Sequence, residues 1–150
     1  MNAATADSDP ERKFIKALLE AANLSHFEAW IKSTATGFYQ IGYAWKKGEH
    51  PKRCKFSPDF FIKAGNLLLV VEVKDDAELR EPSEESRKKN EYAIAHFERV
   101  NQHLGGAGSP VRYKFNFLSP KNINAYFQYL REGRIADHRS ELDVKLAEEA

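Results

Sequence analysis

Leu67-Leu68-Leu69-Val70-Val71-Glu72-Val73-Lys74-Asp75-Asp76 is the stretch on which the reading of this chain turns. Its first five residues are apolar without alternation, the pattern of a strand covered on both faces and therefore central in its sheet. The run then becomes charged at Glu72, Lys74, Asp75 and Asp76, which places those charges at the rim of the sheet. Glu72 and Lys74 stand two apart, so both side chains leave one face, while Val73 turns into the core.

Upstream, Ala64-Gly65-Asn66 reads as a tight turn, and Lys55 to Ile62 as the strand that it joins. Before that strand lies a stretch from Lys46 to Lys55 with five basic residues against one acid, expected as a loop. Phe38 to Trp45 is aromatic and β-branched, an expected strand. Ser8-Asp9-Pro10-Glu11 is a helix entry signal, and Phe14, Ile15, Leu18, Leu19 and Ala22 follow as an apolar stripe at helical spacing. Downstream, residues 75–83 form a polar loop with Pro82. Glu84 to His103 is an expected long helix with Ala93, Phe97, Val100 and Leu104 on one face. Residues 105–110 are a glycine-rich loop, and Val111 to Phe117 alternate as a half-exposed strand. Ser119-Pro120 opens a last helix that Gly133 can terminate. The expected order is helix, three strands, helix, strand, helix: an α/β fold with a mixed sheet and helices on both sides. The domain is expected at residues 8–133, after a disordered start at 1–7 and before a charged tail at 134–150 read as frayed helix or disorder.

Bulk properties fit that picture. At 150 residues the chain suits one domain with a real core. The single cysteine, Cys54, allows no internal disulfide, no apolar run reaches membrane-spanning length, and no signal peptide opens the chain. A cytoplasmic domain with no membrane partner is the expectation. A net charge of +1 is no generic nucleic-acid footprint, so local clusters matter more. Lys47, Lys52 and Arg53 in the basic stretch, and Arg87, Lys88 and Lys89 at the long helix start, either contact phosphates or form solvated surface.

The chemistry-bearing set is Asp59, Glu72 and Lys74. Asp59 and Glu72 lie near the ends of two strands joined by a short turn; antiparallel pairing brings their carboxylates within a few Å. Mg²⁺ selects such oxygens, taking one or two carboxylates plus water and phosphate oxygens. The Val73 carbonyl can serve as a third ligand, and an ammonium beside the metal can orient water and neutralise a phosphate. Pro58 stiffens the segment that presents Asp59 and is best suited to an edge strand. Glu11 has two readings: it extends the sheet-facing stripe toward this site, or it completes a capping box with Ser8. Lys89 likewise extends the sheet-facing stripe of its helix, or is a solvated first turn. Five histidines without ligand spacing and one cysteine argue against zinc, no Walker-type loop is present, and no nucleophile elbow frames a serine. Trp30, Tyr39, Tyr43 and Trp45 stack bases or fill the core.

Ser57-Pro58-Asp59-Phe60-Phe61 followed by Val71-Glu72-Val73-Lys74 resembles the PD-(D/E)XK nuclease superfamily, most closely the C-terminal nuclease domain of type III restriction endonucleases and related restriction helicase subunits. Glu11-Arg12-Lys13-Phe14-Ile15, Ala29-Trp30-Ile31-Lys32 and Phe38 to Tyr43 also fit, so the likeness spans about residues 8–118. The resemblance implies an α-β-β-β-α-β restriction-endonuclease-like core and Mg²⁺-dependent phosphodiester cleavage, with Mn²⁺ able to substitute. By position it makes Asp59 and Glu72 metal ligands, Lys74 the catalytic lysine, Glu11 the first-helix acid and Lys89 an added helix cation. It departs in lacking an encoded helicase motor, and in having Asp75 and Asp76 where a small residue often follows the lysine. The expected function is a Mg²⁺-dependent endonuclease acting on DNA in restriction or antiphage defence. Its expected partners are DNA, a helicase domain or subunit, and a second copy of the chain. The alternative is an inactive module of the same fold that binds nucleic acid or docks a helicase. RNA or single-stranded substrates stay open.

Overall fold

A computed structural model describes residues 8–33, 37–47 and 50–149, without the side chains of 46, 47, 50 and 51. The expected disordered start at 1–7 lies outside the described residues. The fold is mixed α/β, a mixed sheet flanked by helices. Among the described residues no helix is long and apolar enough to cross a membrane.

Helix α1 (Asp9–Leu18) begins where the sequence signals it, with Ser8 as N-cap and Pro10 in the first turn. A short α2 (Ala21–Leu24) leads to β1 (Ala29–Lys32), which the sequence reading did not assign as a strand. Four residues are too few to show a period, and this edge strand is only half covered. The hairpin β2 (Ile41–Lys47) and β3 (His50–Phe56) follows, pairing from Ile41↔Phe56 to Lys47↔His50. The described residues of the basic stretch, 46–47 and 50–55, are therefore not a loop but strand residues of a hairpin. One face, with Ile41, Tyr43 and Phe56, packs onto the core, so its charges need only the other face.

The strand expected at Lys55–Ile62 is two strands. β3 ends at Phe56, β4 (Phe60–Ala64) starts after Ser57-Pro58-Asp59, and the two belong to different sheets. Proline lacks the N–H that a central ladder needs, so the chain changes sheets at the buried Pro58. The edge-strand role for this proline is overturned, because β4 runs between β1 and β5 (Leu67–Val73). Gly37 closes the root of the hairpin: at φ +54 it lies so near Ser57 that a Cβ would meet the Ser57 hydroxyl at 1.8 Å. Gly65, at φ +60, makes the two-residue turn from β4 to β5.

The main sheet has the order β1-β4-β5-β6, with β1, β4 and β5 antiparallel in turn and β5 parallel to β6 (Arg112–Leu118). β5 is flanked on both sides, and Leu69, Val70 and Val71 are fully buried, as the unalternating run foretold. Each such side chain contributes about 1.5–3 kcal/mol. Between β5 and β6 come α3 (Asp76–Arg80), inside the expected polar loop, and α4 (Glu84–Gly106), whose last turn takes in the first glycines of the expected glycine loop. Helix α5 (Pro120–Arg131) packs with α1 on one face of the sheet, around Phe14, Phe60, Leu69, Val71 and Phe127. The hairpin and α4 cover the other face, around Tyr43, Val70, Phe97, Phe115 and Phe117.

At the C-terminal end one expectation fails, and of the two readings of the tail, frayed helix or disorder, it is helix that forms. β6 is not half-exposed, since Phe115, Asn116, Phe117 and Leu118 are all buried. The residues after Gly133 are a 3-10 turn at Ile135–Asp137 and a helix α6 (Glu141–Glu149), with Ile135 and Leu142 in the core. Charged residues outnumber apolar ones in that segment, but two buried apolar anchors are enough to hold it against the sheet.

Candidate active site

Asp59 is held from two sides. Its backbone carbonyl accepts from the Ser33 N–H (2.8 Å), tying the root of the hairpin to the end of β1. Its Oδ2 accepts from the Val73 N–H (2.8 Å), which bridges the lead into β4 and the end of β5. That bond places the Asp59 carboxyl against Glu72. Glu72 is buried on the face of β5 opposite Val73, its Oε2 3.9 Å from the Lys74 ammonium and its Oε1 without a hydrogen-bond partner.

Glu11 reaches the same place from α1. Ser8 caps the helix, its Oγ accepting from the Glu11 N–H (3.3 Å), while the Glu11 carboxylate is buried and lies 3.8 Å from Lys32 Nζ. Only the Ser8 half of the capping box is seen: Glu11 sits in a first turn capped by Ser8, and its side chain faces the site. Lys32 is the residue that sequence reasoning missed. It is the last residue of β1, is as buried as its partner, and also donates to the Ser33 carbonyl at 3.2 Å. A lysine closing an apolar-aromatic stretch was the available signal, but without an assigned strand it had no partner to point at.

Burial and the neighbouring charges of Glu72 and Glu11 push the Asp59 carboxyl up to about 9, against the pull of the Val73 N–H. Burial also raises Glu72, opposed by the cations of Lys74 and Lys89. Without a cation between them, the pair therefore holds a proton at neutral pH. A cleft of about 320 Å³ opens beside it, walled by Ser8, Pro10, Glu11, Asp59, Val73, Lys74 and Asp75. Glu72 is not on that wall; it lies behind Asp59 and meets Lys89 from the α4 side. Among the described residues no three or more His, Cys, Asp or Glu are grouped to hold a metal ion. The oxygens that fit one are Asp59, the unpartnered Glu72 Oε1 and the Val73 carbonyl, an all-oxygen set suited to Mg²⁺ or Mn²⁺ when water and phosphate complete the shell.

The remaining candidates divide. Lys89 Nζ lies 5.6 Å from the Tyr43 ring and 5.5 Å from the Phe56 ring, a cation held between the hairpin and Glu72. Lys52 and Arg53 are exposed on β3. The side chain of Lys47 lies outside the described residues. Lys88 pairs with Glu91 at 3.1 Å, and Arg87 is engaged by Glu149 of α6. Of the two acids after the lysine, Asp75 stands on the cleft wall while capping α3 through the Glu78 N–H (2.8 Å), and Asp76 is drawn away, accepting from the Lys121 N–H (3.0 Å) at the start of α5. The aromatics are core rather than a stacking platform: Tyr43 is buried, and Trp30, Tyr39 and Trp45 pack against the two clusters.

In comparisons with known proteins, no family model, curated protein or solved structure matches this chain.

Proposed function

We propose that the chain is a Mg²⁺-dependent endonuclease of the PD-(D/E)XK type with a restriction-endonuclease-like core, acting on DNA. The observation that carries this reading is the Asp59–Val73 hydrogen bond, which sets the Asp59 carboxyl beside a buried glutamate whose second oxygen has no partner. Two carboxyls pressed together until they share a proton are destabilised until a divalent cation replaces that proton. Chain order adds support: the sheet and its crossover run α1, β1, β4, β5, α4, β6, a helix, three strands, a helix and a strand.

Asp59, Glu72 and the Val73 carbonyl would hold the cation, which when bound stabilises negative charge developing on phosphorus and on the leaving oxygen. The protein's own groups do the rest. Lys74, half-buried at the cleft wall, hydrogen-bonds and orients the attacking water and offsets phosphate charge. Water adds to phosphorus and gives up a proton to solvent, and the bond to the leaving oxygen breaks with its electron pair on that oxygen, which takes up a proton from solvent to leave as a hydroxyl. Glu11, fixed by Lys32, holds the far side of the cleft and keeps Asp59 in place. Lys52 and Arg53 on the hairpin supply sequence-independent phosphate contacts. The resemblance to type III restriction nuclease domains supports a role in restriction or antiphage defence beside a helicase domain or subunit.

A second reading, a non-catalytic module that binds nucleic acid or docks a helicase, is favoured by one observation. Glu11 is paired by Lys32 and Glu72 by Lys74, so much of the acidic charge is answered within the protein. The test is cleavage of supercoiled plasmid and single-stranded DNA with Mg²⁺ or Mn²⁺, wild type beside Asp59→Asn and Lys74→Met. Metal-dependent nicking, reduced at least about a hundredfold in both variants while each keeps its melting transition, is the expected result. No cleavage and no Asp59-dependent Mn²⁺ uptake by calorimetry would leave the module.

A further inference from the structure

A groove of about 440 Å³ runs between α3, the start of α5 and α6, and shares no residue with the Asp59 cleft. Four cations line it: Arg80 at the end of α3, Lys121 at the start of α5, Arg139 before α6 and Lys145 within α6. Elsewhere on the surface a cation is answered by a local acid, as Arg12 is by Asp9, Lys88 by Glu91 and Arg134 by Glu132. In the groove it is not. Among the described residues none of Arg80, Lys121 and Lys145 is held in a salt bridge, although Glu141 and Glu148 line the same groove. Glu141 turns inward, with its Oε2 buried. Like charges gathered along a concave surface raise the local concentration of anions, and an anion is the partner that these cations lack.

The lining narrows the anion. Arg80, Lys121 and Arg139 are exposed and Lys145 is half-buried, so the donors are spread along a wet surface and do not enclose one small ion. Among the lining side chains Val144 alone is apolar and none is aromatic, so nothing there stacks on a base. Cations from three elements, with no group to read a base edge, suit a sugar–phosphate backbone. The groove is also close to the cleft. Asp75 on the cleft wall is the N-cap of α3, and Arg80 is the last residue of that helix. Five residues of helix rise ~7.5 Å, so one short helix separates the two. Asp76, held below the ordinary carboxylate range by the Ser119 hydroxyl and the Lys121 N–H, also feels the charges of Lys13 on α1 and of Lys121. Positive charge therefore continues past α3 on the side of the helix that carries Glu11 into the cleft.

We propose that the groove between α3, α5 and α6 binds the sugar–phosphate backbone of a nucleic-acid strand, with Arg80, Lys121, Arg139 and Lys145 on its phosphates. Arg139 is partly committed, its Nη2 donating to the Asp143 carbonyl at 3.4 Å, while the other three are free to turn to the ligand. Backbone binding stands on the groove alone. That the strand is the one lying in the Asp59 cleft rests on the nuclease reading. Much of the groove is built by the segment after Gly133, outside the residues that carry the nuclease resemblance.

The experiment is fluorescence-anisotropy titration of the whole chain with a labelled twenty-nucleotide dT strand in EDTA, from 50 to 200 mM salt. The wild type is compared with the triple variant Arg80→Ala/Lys121→Ala/Lys145→Ala. A control, Lys63→Ala/Arg99→Ala/Arg134→Ala, removes three exposed charges outside the groove. At ~0.7 per phosphate contact the salt slope should fall by about 2 in the groove variant, and affinity at 100 mM salt by about ten- to a hundredfold. The control should lose less than about threefold. All six side chains lie at the surface, and an unchanged melting transition shows that the fold is kept. Equal losses in the two variants would mean net charge alone and overturn the proposal. So would an unchanged slope in the groove variant, or no strand binding by the wild type. Calorimetric binding of tripolyphosphate as tight as that of the strand would make this a small-anion site and also overturn it. Because EDTA excludes metal-dependent cleavage, a protein that binds through the groove but never cuts would refute the nuclease reading and leave this one standing.

Discussion

Replacing Asp59 with asparagine should make the metal-free protein more stable while removing its response to a divalent cation. The carboxyl is pushed up to about 9 from an ordinary 3.8 by burial beside Glu72 and Glu11. Its folded value being the higher, the native state binds more protons than the unfolded chain between those limits, and this group's contribution falls as pH rises from 3.8 to 9. At about 1.4 kcal/mol per unit, the interval from 3.8 to pH 7 costs at most ~4 kcal/mol. Partial exposure of the carboxyl to solvent screens this to about 2 kcal/mol. Asparagine keeps an oxygen for the Val73 N–H and never carries the charge. Urea denaturation in EDTA should therefore find Asp59→Asn more stable by about 2 kcal/mol at pH 7, or a melting point higher by about 4–8 °C. The difference should be near zero at pH 4 and widen toward pH 9. Saturating Mn²⁺ should reverse the order, since cation at a hundred times Kd stabilises the wild type alone by about 2.7 kcal/mol. A variant less stable than wild type in EDTA at pH 8, or a difference flat in pH, would refute the view that these carboxyls are held under mutual repulsion.

Other outcomes follow from the same structure. Burial lowers His138 from 6.5 to about 4, so its contribution is complete above 6.5 and is lost as pH falls through that interval, about 2 kcal/mol between pH 7 and 5. Denaturation in the Asp59→Asn background should show that acid limb, and His138→Gln should flatten it. Leu142→Ala, at a fully buried position of α6, should cost about 2–5 kcal/mol in urea denaturation; a cost below half a kcal/mol would mean that α6 is not packed in solution. Lys52→Ala and Arg53→Ala should each lower the salt slope of DNA binding by about one, equally for all sequences, in fluorescence-anisotropy titrations.

The parts of this fold that were legible in the sequence are those where one pattern serves one purpose. The run from Leu67 to Val71 needs cover on both faces and has it from Leu69 onward, with Leu67 and Leu68 half-buried. The stripe from Phe14 to Leu18 and the cap at Ser8 likewise mean what they say. Reading failed where an element answers to a distant partner. Ala29–Lys32 is a strand because β4 offers it an edge, and nothing within four residues shows that. The basic hairpin strand is apolar on one face only, and its lysines hid the alternation. Asn116 and Leu118 are covered by a tail whose composition is that of a solvated segment. For the site, spacing alone brought Asp59, Glu72 and Lys74 together, because a two-residue turn fixes the register of β4 on β5. Lys32 needed the unassigned β1 and stayed invisible.

The hairpin leaves the sheet after β1 and returns into β4, the strand beside it, and the Ser33–Asp59 hydrogen bond clasps the two ends of the excursion. Beyond Ile41, Tyr43 and Phe56, which pack on the sheet, the hairpin is an appendix held at its base by that clasp. Doubling the length of a flexible excursion costs only about 0.6 kcal/mol in closure entropy, so the fold tolerates change in how far that distal end extends. A different distal ribbon grafted beyond those three residues keeps the same anchored carboxylate at its base. Under the proposed function, what the protein grips can then change by exchange of one surface ribbon, while the groups proposed to act on it stay where they are.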